Sequence, residues 1–380
     1  MKILHTSDWH IGRQFHNVSL LEDQRFVLDQ IVEIASKSSV DVVLIAGDIY
    51  DRAIPPASAV KLLDDVLQRL CMDQNIPVIM ISGNHDSPDR LGFGSRQLAS
   101  GGLHIVGPLT QELAPIILKD IHGDVAFYGL PYADPATVRD VFGVELSGHD
   151  EAMAFLTEKI TKHNVENRRC AVLSHCFLHG GDECESERPL SVGGADQVAA
   201  KHFKPFNYTA LGHLHGPQYR GNESIRYSGS ILKYSFSEVN HHKSVTLATM
   251  DAKGACVIEQ FKLTPRRNMR VIEGVLEEII QVGKTDPHSH DYLLVRLLDT
   301  NAILDVMGKL RSVYPNILHV ERPGLVATNT GHNLTRDHLK RGEFAMFNDF
   351  YKQTSGKALN PEESKVVEGI LDDVHSKKEG

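Results

Sequence analysis

The sequence is poor in cysteine, in tryptophan and in long apolar runs. Its 380 residues include five cysteines, an odd number without a CxxC pair, and a single tryptophan. This pattern excludes a disulfide framework and a thiolate zinc site, and it favours a reducing compartment, the cytoplasm. The longest apolar runs, such as Val42 to Ala46, fall far short of the ~20 residues that span a bilayer, and no signal-peptide core opens the sequence. We therefore expect a cytoplasmic protein without a membrane segment.

Positive charge is also in short supply. Forty Lys and Arg residues stand against 49 Asp and Glu, which gives a net charge of −9. Binding of nucleic acid through overall positive charge alone is therefore excluded. Any contact with DNA has to use a local surface or be assisted by a partner. Hydrophobic residues make up 41% and charged residues 23%, as in globular proteins, and the length allows two or three domains. Histidine is abundant, with 21 residues, and several histidines neighbour Asp or Asn.

The first 110 residues alternate between strands and helices. The predicted strands cover 3–4, 40–46 and 76–81, and helical periodicity covers 22–38 and 57–74. Continuous apolar runs indicate parallel strands that are buried on both faces. Such folds bind ligands in the loops beyond the carboxyl ends of the strands. The loops that follow these three strands are 6–16, 47–56 and 82–95.

The remaining sequence predicts two further parts. Seven short strands between 103 and 261, with a helix near 150–163, predict a second sheet packed on the first. The pattern pauses at Thr264-Pro265-Arg266-Arg267, and 268–322 has β-α-β character. A polar tail follows, with amphipathic helices at Glu343 to Tyr351 and Pro361 to Val374. The predicted domains are 1–265, 266–323 and 324–380.

Five short segments place metal-type ligands directly after apolar runs. They are Asp8-Trp9-His10, Gly47-Asp48-Ile49-Tyr50-Asp51, Gly83-Asn84-His85-Asp86, Ser174-His175 and Gly212-His213-Leu214-His215. Alternation along an extended chain puts residues i and i+2 on one face, so Asp8 with His10, and His213 with His215, can each face a common centre. The glycines before Asp48, Asn84 and His213 are expected to let the backbone turn sharply into the site.

The chemistry of these residues indicates a two-metal site. Mixed imidazole and carboxylate ligands suit manganese, iron or zinc, whereas magnesium or calcium alone prefers oxygen ligands. Seven candidate ligands, with Asp48 free to use both oxygens, favour two ions roughly 3.5–4 Å apart, an arrangement suited to phosphoester hydrolysis. Isolated histidines such as His5, His104 and His241 are better explained as ordinary surface or core residues. No dinucleotide loop, P-loop or nucleophile elbow is present.

The order of these elements resembles the calcineurin-type metallophosphoesterases, whose pattern is DxH, GDxxD, GNH[DE], H and GHxH. The flanking residues are similar to the SbcD family, the nuclease subunits of bacterial SbcCD complexes. The resemblance covers about 1–262. It depends on Ile3-Leu4-His5-Thr6-Ser7-Asp8-Trp9-His10-Ile11-Gly12, Ala46-Gly47-Asp48-Ile49-Tyr50-Asp51, Pro55-Pro56, Gly83-Asn84-His85-Asp86-Ser87, Ala210-Leu211-Gly212-His213-Leu214-His215 and Tyr227-Ser228-Gly229-Ser230.

The resemblance implies a role for each motif residue. One metal would be held by Asp8, His10, Asp48 and His215, and the other by Asp48, Asn84, His175 and His213, with Asp48 as the bridge. His85 would not bind metal; it would assist the leaving group, for which an imidazole is a suitable general acid. Archaeal and eukaryotic members often have a histidine in place of Asp51, for which we expect an orienting role as a carboxylate behind a ligand.

The resemblance also implies fold and function. The expected fold is α/β, with two packed mixed β-sheets flanked by helices, a small α+β capping domain and a helical C-terminal tail. The expected activity is that of a metal-dependent DNA nuclease, both exonuclease and endonuclease, using two divalent ions, Mn²⁺ ahead of Mg²⁺. The expected partners are DNA, a second copy in a homodimer, and an SMC-like ATPase of the SbcC type that completes a heterotetramer in DNA repair, recombination and replication. Arg13, Arg52, Arg90 and Arg96 are candidate phosphate contacts.

Two other functions compete with this interpretation. A phosphatase or phosphodiesterase of the same superfamily would act on a small phosphoester, but a compact phosphatase needs neither the predicted cap nor the tail. A catalytically inactive scaffold would carry at least one broken ligand set, and none of the five segments is broken.

Overall fold

The computed structural model describes residues 1–164, 166, 168–190, 196–299, 301, 303–323 and 343–376. Within these residues, the chain divides into two units, Met1–Asn268 and Met269–Gly380. No helix in the described part is both long enough and apolar enough to cross a bilayer.

The first unit contains sixteen strands among its described residues. They are β1 (Lys2–Thr6), β2 (Gln14–Phe15), β3 (Val18–Ser19), β4 (Val42–Ala46), β5 (Val78–Ile81), β6 (Leu103–Val106), β7 (Ile116–Asp120), β8 (Gly123–Leu130), β9 (Arg169–His175), β10 (Phe177–Leu178), β11 (Gln197–Val198), β12 (Tyr208–Gly212), β13 (Gln218–Arg220), β14 (Asn222–Tyr227), β15 (Ser244–Met250) and β16 (Cys256–Lys262). The helices are α1 (Leu21–Lys37), α2 (Ala57–Leu67), α3 (Pro88–Leu91), α4 (Ser95–Leu98), α5 (Pro135–Phe142) and α6 (His149–His163).

Two six-stranded mixed sheets form this unit. The first has the order β16-β15-β1-β4-β5-β6, and the second has the order β13-β14-β12-β9-β8-β7. In the first sheet, β1, β4, β5 and β6 are parallel, and β15 joins β1 in antiparallel register. In the second, β8, β9, β12 and β14 are parallel. The predicted α/β fold with two mixed sheets is confirmed.

The facing surfaces of the two sheets share one buried core. Ile3, Val42 and Ile79 come from the first sheet, and Phe127 and Leu173 come from the second, all without solvent exposure. A separate cluster on the outer face of the second sheet includes residues of α5 and α6. Both faces of these strands are therefore covered, which explains their continuous apolar sequence.

Some strands differ from the sequence-based expectation. The strand Leu103–Val106 and the hairpin of β15 and β16 belong to the first sheet, not to the second. The predicted helix 57–74 is regular to Leu67 and continues as a π-helix over Gln68–Asp73. The edge strand β7 was not predicted from sequence, since its apolar run is only three residues long, Ile116 to Leu118, and directly follows Pro115.

The second unit begins with a small parallel sheet. Its elements are β17 (Met269–Gly274), α7 (Leu276–Gly283), β18 (Tyr292–Leu297), α8 (Val306–Arg311) and β19 (Ile317–Glu321). The sheet order is β17-β18-β19. The predicted β-α-β pattern is therefore present, preceded by an extra strand and helix that sequence patterning did not detect.

Two further helices follow, Glu343–Ser355 and Pro361–Ser376. The side-chain oxygen of Asn360 accepts hydrogen bonds from the backbone N–H groups of Glu362 and Glu363, both at 2.9 Å. The Glu363 carboxylate accepts in return from the N–H of Asn360 at 2.8 Å, which closes a capping box. Residues 324–342 of the predicted tail, and the side chain of Val374, lie outside the described residues.

Candidate metal centre

The five motif segments converge at the carboxyl ends of strands in both sheets. Asp8 and His10 follow β1, Asp48 follows β4, and Asn84 with His85 follows β5. From the second sheet, His175 is the last residue of β9, and His213 and His215 follow β12. The structure thus brings together all nine predicted site residues, counting Asp51 after β4.

The backbone at the site is left-handed at several ligand positions. Asp8, His10 and Asp48 have φ of 52°, 46° and 50°, and His213 has φ of 106°. Asp8 and His10 face a common centre, as expected, but strand alternation is the wrong reason, because both residues lie beyond the end of β1. Hydrogen bonds from the N–H of Asp8 to the carbonyl of Gly47 (3.1 Å) and from the N–H of His10 to that of Asp48 (2.9 Å) hold this conformation.

The glycines beside the ligands serve two different purposes. Gly47 has a φ of +89°, which favours glycine and turns the chain sharply, as expected. Gly83 and Gly212 are needed instead for close approach. A Cβ at Gly83 would collide with Asp48, and one at Gly212 would collide with the carbonyl oxygen of Ala46.

One half of the centre is formed by Asp8, His10, Asp48 and His215. The Nε2 atoms of His10 and His215 lie 3.1 Å apart, and Nε2 of His10 lies 3.6 Å from Oδ2 of Asp48. Ligand atoms of Asp8, His10 and His215 are mutually close enough to hold one ion. All four residues are almost completely buried.

The other half is formed around His175. Its Nε2 lies 2.9 Å from Oδ1 of Asn84 and 3.6 Å from Oδ2 of Asp48. The imidazole rings of His175 and His213 are 5.5 Å apart between centroids. Oδ2 of Asp48 therefore lies at 3.6 Å from one histidine in each half.

Hydrogen bonding directs two of the imidazole lone pairs into the centre. Nδ1 of His175 can only donate to the carbonyl oxygen of Ala46 at 2.9 Å, so its Nε2 carries the lone pair. Nδ1 of His215 is 2.7 Å from the hydroxyl of Ser186. That hydroxyl donates its one proton to Glu238, so it accepts from His215 Nδ1, and the Nε2 of His215 also carries a lone pair.

This donor set fits divalent cations. The lone pair of His175 meets the amide oxygen of Asn84, so two acceptors face each other at 2.9 Å with no proton between them. A proton on Nε2 of His10 would bond His215 but leave the buried Nδ1 of His10 without a partner. Cations bound between these acceptors satisfy both arrangements, and nitrogen with carboxylate oxygen suits transition-metal ions.

Burial keeps three imidazoles in the form that binds metal, but it disfavours the ionised form of Asp8. Burial lowers the pKa of His10 and of His213 well below the usual value, and it also lowers the pKa of His175. The three imidazoles are therefore neutral near pH 7. Burial, and then the charge of Asp48, raise the pKa of Asp8 well above its usual range. A bound cation offsets this cost by stabilising the ionised carboxylate.

His85 lies at the edge of the centre. Its side chain is 13% exposed, and its Nε2 is 4.0 Å from Oδ2 of Asp48. Nδ1 donates to the backbone carbonyl of Asp51 at 2.9 Å, which leaves Nε2 directed elsewhere. The imidazole is thus held beside the candidate ligands by Nδ1, and its Nε2 faces Asp48.

Asp51 connects His85 to the first half of the centre. Its Oδ1 lies 3.8 Å from Nδ1 of His10 and accepts a hydrogen bond from the guanidinium of Arg13 at 3.0 Å. Arg13 also covers the ring of Tyr234, with 5.1 Å from Cζ to the ring centroid. Arg13 is therefore held in place, unlike the other candidate phosphate contacts Arg52, Arg90 and Arg96, which are exposed.

Several residues that support the site were not identified from sequence. The buried Gln24, in α1, donates to the carbonyl oxygens of His10 (2.7 Å) and Trp9 (3.1 Å) and accepts from the N–H of Gly12 (3.0 Å). The ring of Tyr234 lies 5.4 Å from that of His10. Neither residue belongs to a motif, and nothing in the sequence beyond a predicted helix at 22–38 indicates Gln24.

Asp86, the last residue of the third motif segment, supports the site in a way that the sequence did not indicate. Its carboxylate accepts hydrogen bonds from the N–H groups of Gly83 (2.9 Å), Ile49 (3.1 Å) and Tyr50 (2.9 Å). It therefore joins the loop after β4 to the loop after β5. Burial, and then the charge of Asp48, raise its pKa to about 7.

Comparisons with known proteins agree with this geometry. A family model described as calcineurin-like phosphoesterase matches residues 1–217. The SbcD C-terminal model, described as type 5 capsule protein repressor C-terminal domain, matches residues 265–355. The SbcD subunits of the SbcCD nucleases from Staphylococcus epidermidis and Staphylococcus saprophyticus are each 34% identical to this chain over 373 residues, covering 98% of this chain and 98% of each relative.

Two solved structures are similar to part of this chain, with low sequence identity. A Thermus thermophilus protein is 12% identical, with a TM-score of 0.41, and the match covers 69% of this chain and 99% of that one. A dimetal phosphatase from Danio rerio is 11% identical, with a TM-score of 0.42, and the match covers 69% and 96%.

Proposed function

Because the chain belongs to the SbcD family of calcineurin-like phosphoesterases, we propose that it is the nuclease subunit of a two-component DNA-processing complex. It is a metal-dependent phosphodiester hydrolase. The observation that carries this function is the identity of 34% over 98% of the chain with the SbcD subunits of SbcCD nucleases. The complete set of ligand side chains at the strand ends supports it.

Two divalent ions are assigned to the two halves of the centre. Asp8, His10, Asp48 and His215 hold one ion, and Asp48, Asn84, His175 and His213 hold the other, with Asp48 shared. The pair of 3.6 Å distances from Oδ2 of Asp48 to His10 and His175 supports the shared role. When bound, such a pair supplies an activated water and neutralises phosphoryl oxygens. We propose Mn²⁺ because imidazole and carboxylate donors are mixed, with Mg²⁺ as the second choice.

Other residues of the chain are proposed to deliver a proton, to orient a ligand and to contact phosphates. His85 delivers a proton to the departing oxygen from its Nε2, while the carbonyl of Asp51 holds its Nδ1. Asp51 keeps Arg13 in place through a hydrogen bond, and its carboxylate, 3.8 Å from Nδ1 of His10, is proposed to orient that imidazole by charge alone. The exposed Arg52 lies on the loop after β4, and the exposed Arg90 and Arg96 lie in the short helices α3 and α4 after β5; all three are proposed to contact phosphates.

The substrate and partners follow from the family. The proposed substrate is DNA, cleaved exonucleolytically at duplex ends and endonucleolytically in single strands and hairpins. The proposed assembly is a homodimer joined by an SMC-like ATPase of the SbcC type into a heterotetramer. The ATPase also compensates for a net charge of −9, which is poor at attracting DNA. Residues 266–323 are proposed to cap the DNA, and 324–380 to bind the ATPase.

We place the protein in the cytoplasm. All five cysteines are free, which is typical of proteins in a reducing compartment.

A direct test compares DNA with a simple phosphate ester. The full chain is incubated, with and without Mn²⁺, with end-labelled duplex DNA, hairpin DNA and a generic phosphomonoester. Mn²⁺-dependent cleavage of DNA is expected, with an Asp8→Asn variant as the inactive control. Robust turnover of the monoester with intact DNA would instead identify a phosphatase.

A further inference from the structure

A series of buried, hydrogen-bonded side chains lies behind His215, on the side away from the metal centre. Ser186 Oγ is 2.7 Å from Nδ1 of His215 and 2.5 Å from Oε1 of Glu238. A serine hydroxyl has one proton, and a carboxylate can only accept, so Ser186 donates to Glu238 and accepts from His215. The direction of both hydrogen bonds is therefore fixed.

This series of side chains ends in a buried ion pair between Glu238 and Lys243. Oε2 of Glu238 lies 2.5 Å from Nζ of Lys243, which also donates to the carbonyl of His215 (2.8 Å) and to Oγ of Ser230 (2.8 Å). The exposed fractions are 8% for Ser186, 0% for Glu238 and 5% for Lys243. Solvent does not replace these contacts, and each group depends on its neighbours.

Stability alone does not account for this arrangement. A buried ion pair contributes little net stability, since desolvation of both charges opposes their attraction. Here both members of the ion pair are connected to His215. Glu238 is linked to its Nδ1 through Ser186, and Lys243 donates to its backbone carbonyl. Carboxylate-to-histidine hydrogen bonding behind a metal ligand fixes the tautomer and strengthens the ligating nitrogen.

The other imidazoles are supported differently. Nδ1 of His175 donates to a neutral backbone carbonyl, that of Ala46. Nδ1 of His10 makes no hydrogen bond, although Asp51 lies 3.8 Å away. Of these three imidazoles, only that of His215 is linked to a carboxylate by hydrogen bonds.

We propose that Ser186, Glu238 and Lys243 form a positioning relay that holds the Nε2 lone pair of His215 on its metal ion. This inference rests on the proposed two-metal function. The serine is the essential link, since only a hydroxyl can accept from the imidazole and donate to the carboxylate at the same position.

The test measures Mn²⁺ binding to the full chain by calorimetry and by electron paramagnetic resonance, without DNA. Ser186→Ala is expected to weaken binding at one of the two sites by about 10–100-fold, the usual effect of removing support behind a ligand, while the other site keeps wild-type affinity. Ser186→Thr retains the hydroxyl and is expected to restore most of that affinity. Ser244→Ala is the matched control, because Ser244 is also buried but its hydroxyl has no hydrogen-bond partner.

The outcomes separate the relay from the proposed function. If the wild type binds two ions and Ser186→Ala binds both with unchanged affinity, the relay is overturned while the metal centre stands. If the wild type fails to bind two ions, the proposed centre is overturned together with the relay. Thermal unfolding without metal shows whether Ser186→Ala is folded. If Ser186→Ala is not folded, the second variant is Glu238→Gln, which keeps the side-chain volume but removes the charge. This variant is expected to lose Mn²⁺ affinity at the same single site. Wild-type Mn²⁺ affinity at both sites of Glu238→Gln would overturn the relay.

Discussion

The backbone N–H of His85 donates to Oδ1 of Asp48 at 2.9 Å, while the imidazole of the same residue lies 4.0 Å from Oδ2. The proposed acid and the proposed bridging ligand are therefore tied through the main chain. The side chain of His85 can be removed without removing the bond that orients Asp48. This separation makes the two roles distinguishable by mutation.

His85→Ala is expected to leave both metal ions bound and to reduce DNA cleavage by about 10²–10⁴-fold, the usual contribution of a general acid. Metal content is measured by elemental analysis and cleavage with end-labelled duplex DNA. His122→Ala, in the exposed turn between β7 and β8, is the control and should change neither quantity. Loss of an ion from His85→Ala would show that His85 is a ligand.

Asp48→Asn is expected to weaken both sites together, since this variant keeps an oxygen for the N–H of His85 but removes the charge that two dications share. Titration with Mn²⁺ measures both affinities. His213→Ala, which removes a ligand proposed for one ion only, is the comparison and should affect one site. A single ion bound by Asp48→Asn with wild-type affinity would contradict the bridging assignment.

The residues that form the candidate centre could be predicted from sequence because each belongs to a short contiguous motif at the end of a strand. Their supports could not, since Gln24, Ser186 and Tyr234 reach the site from separate parts of the chain. The left-handed turns at Asp8 and His10 were also missed, because alternation describes a strand, and the strand ends at Thr6. Contacts between distant segments leave no local pattern.

Asp86→Ala is expected to loosen the two loops that carry Asp48 and Asn84. Three backbone N–H groups lose their acceptor, and each buried unsatisfied group costs about 1–3 kcal/mol. Thermal unfolding without metal and Mn²⁺ affinity should both fall. Asp89→Asn, at an exposed position in α3, serves as the control. Unchanged stability of Asp86→Ala would show that the loops hold their conformation without this carboxylate.

The buried pair of Asp120 and Arg169 is expected to make the free energy of unfolding depend on pH in the acidic range. Hydrogen bonds from the Arg169 guanidinium, at 2.5 and 2.8 Å, hold the pKa of Asp120 below its usual value. A lowered pKa in the folded state contributes stability above the unfolded pKa of about 3.9, and this contribution is lost as the pH falls through the folded value.

Asp120→Asn should therefore reduce the free energy of unfolding by about 1–3 kcal/mol at pH 7, and the difference from wild type should shrink below pH 4. Urea unfolding across this pH range measures it. Asp124→Asn removes a more exposed partner, 3.6 Å from Lys119, and should cost less than about 1 kcal/mol. A difference that stays constant down to pH 2 would show that the charge of Asp120 is not responsible.

The two helices after residue 342 present apolar side chains to solvent. Phe347 is 40% exposed, Phe350 61%, Val366 62% and Ile370 57%. These residues recur at helical spacing on Glu343–Ser355 and Pro361–Ser376, which is typical of helices that dock a partner. Deletion of 340–380 is therefore expected to leave Mn²⁺-dependent cleavage by the isolated chain nearly intact and to abolish binding of the SbcC-type ATPase, measured by co-purification.

A milder variant keeps the helices but changes their surface. Val366→Lys with Ile370→Lys retains the Asn360 capping box and should also weaken ATPase binding, because charge replaces the apolar contact. Glu362→Lys, at an exposed position on the first turn, controls for the added positive charge. A large fall in melting temperature on deletion would show that the apolar side chains belong to the protein's own core, because removing a docking surface alone leaves the buried cores of both units unchanged.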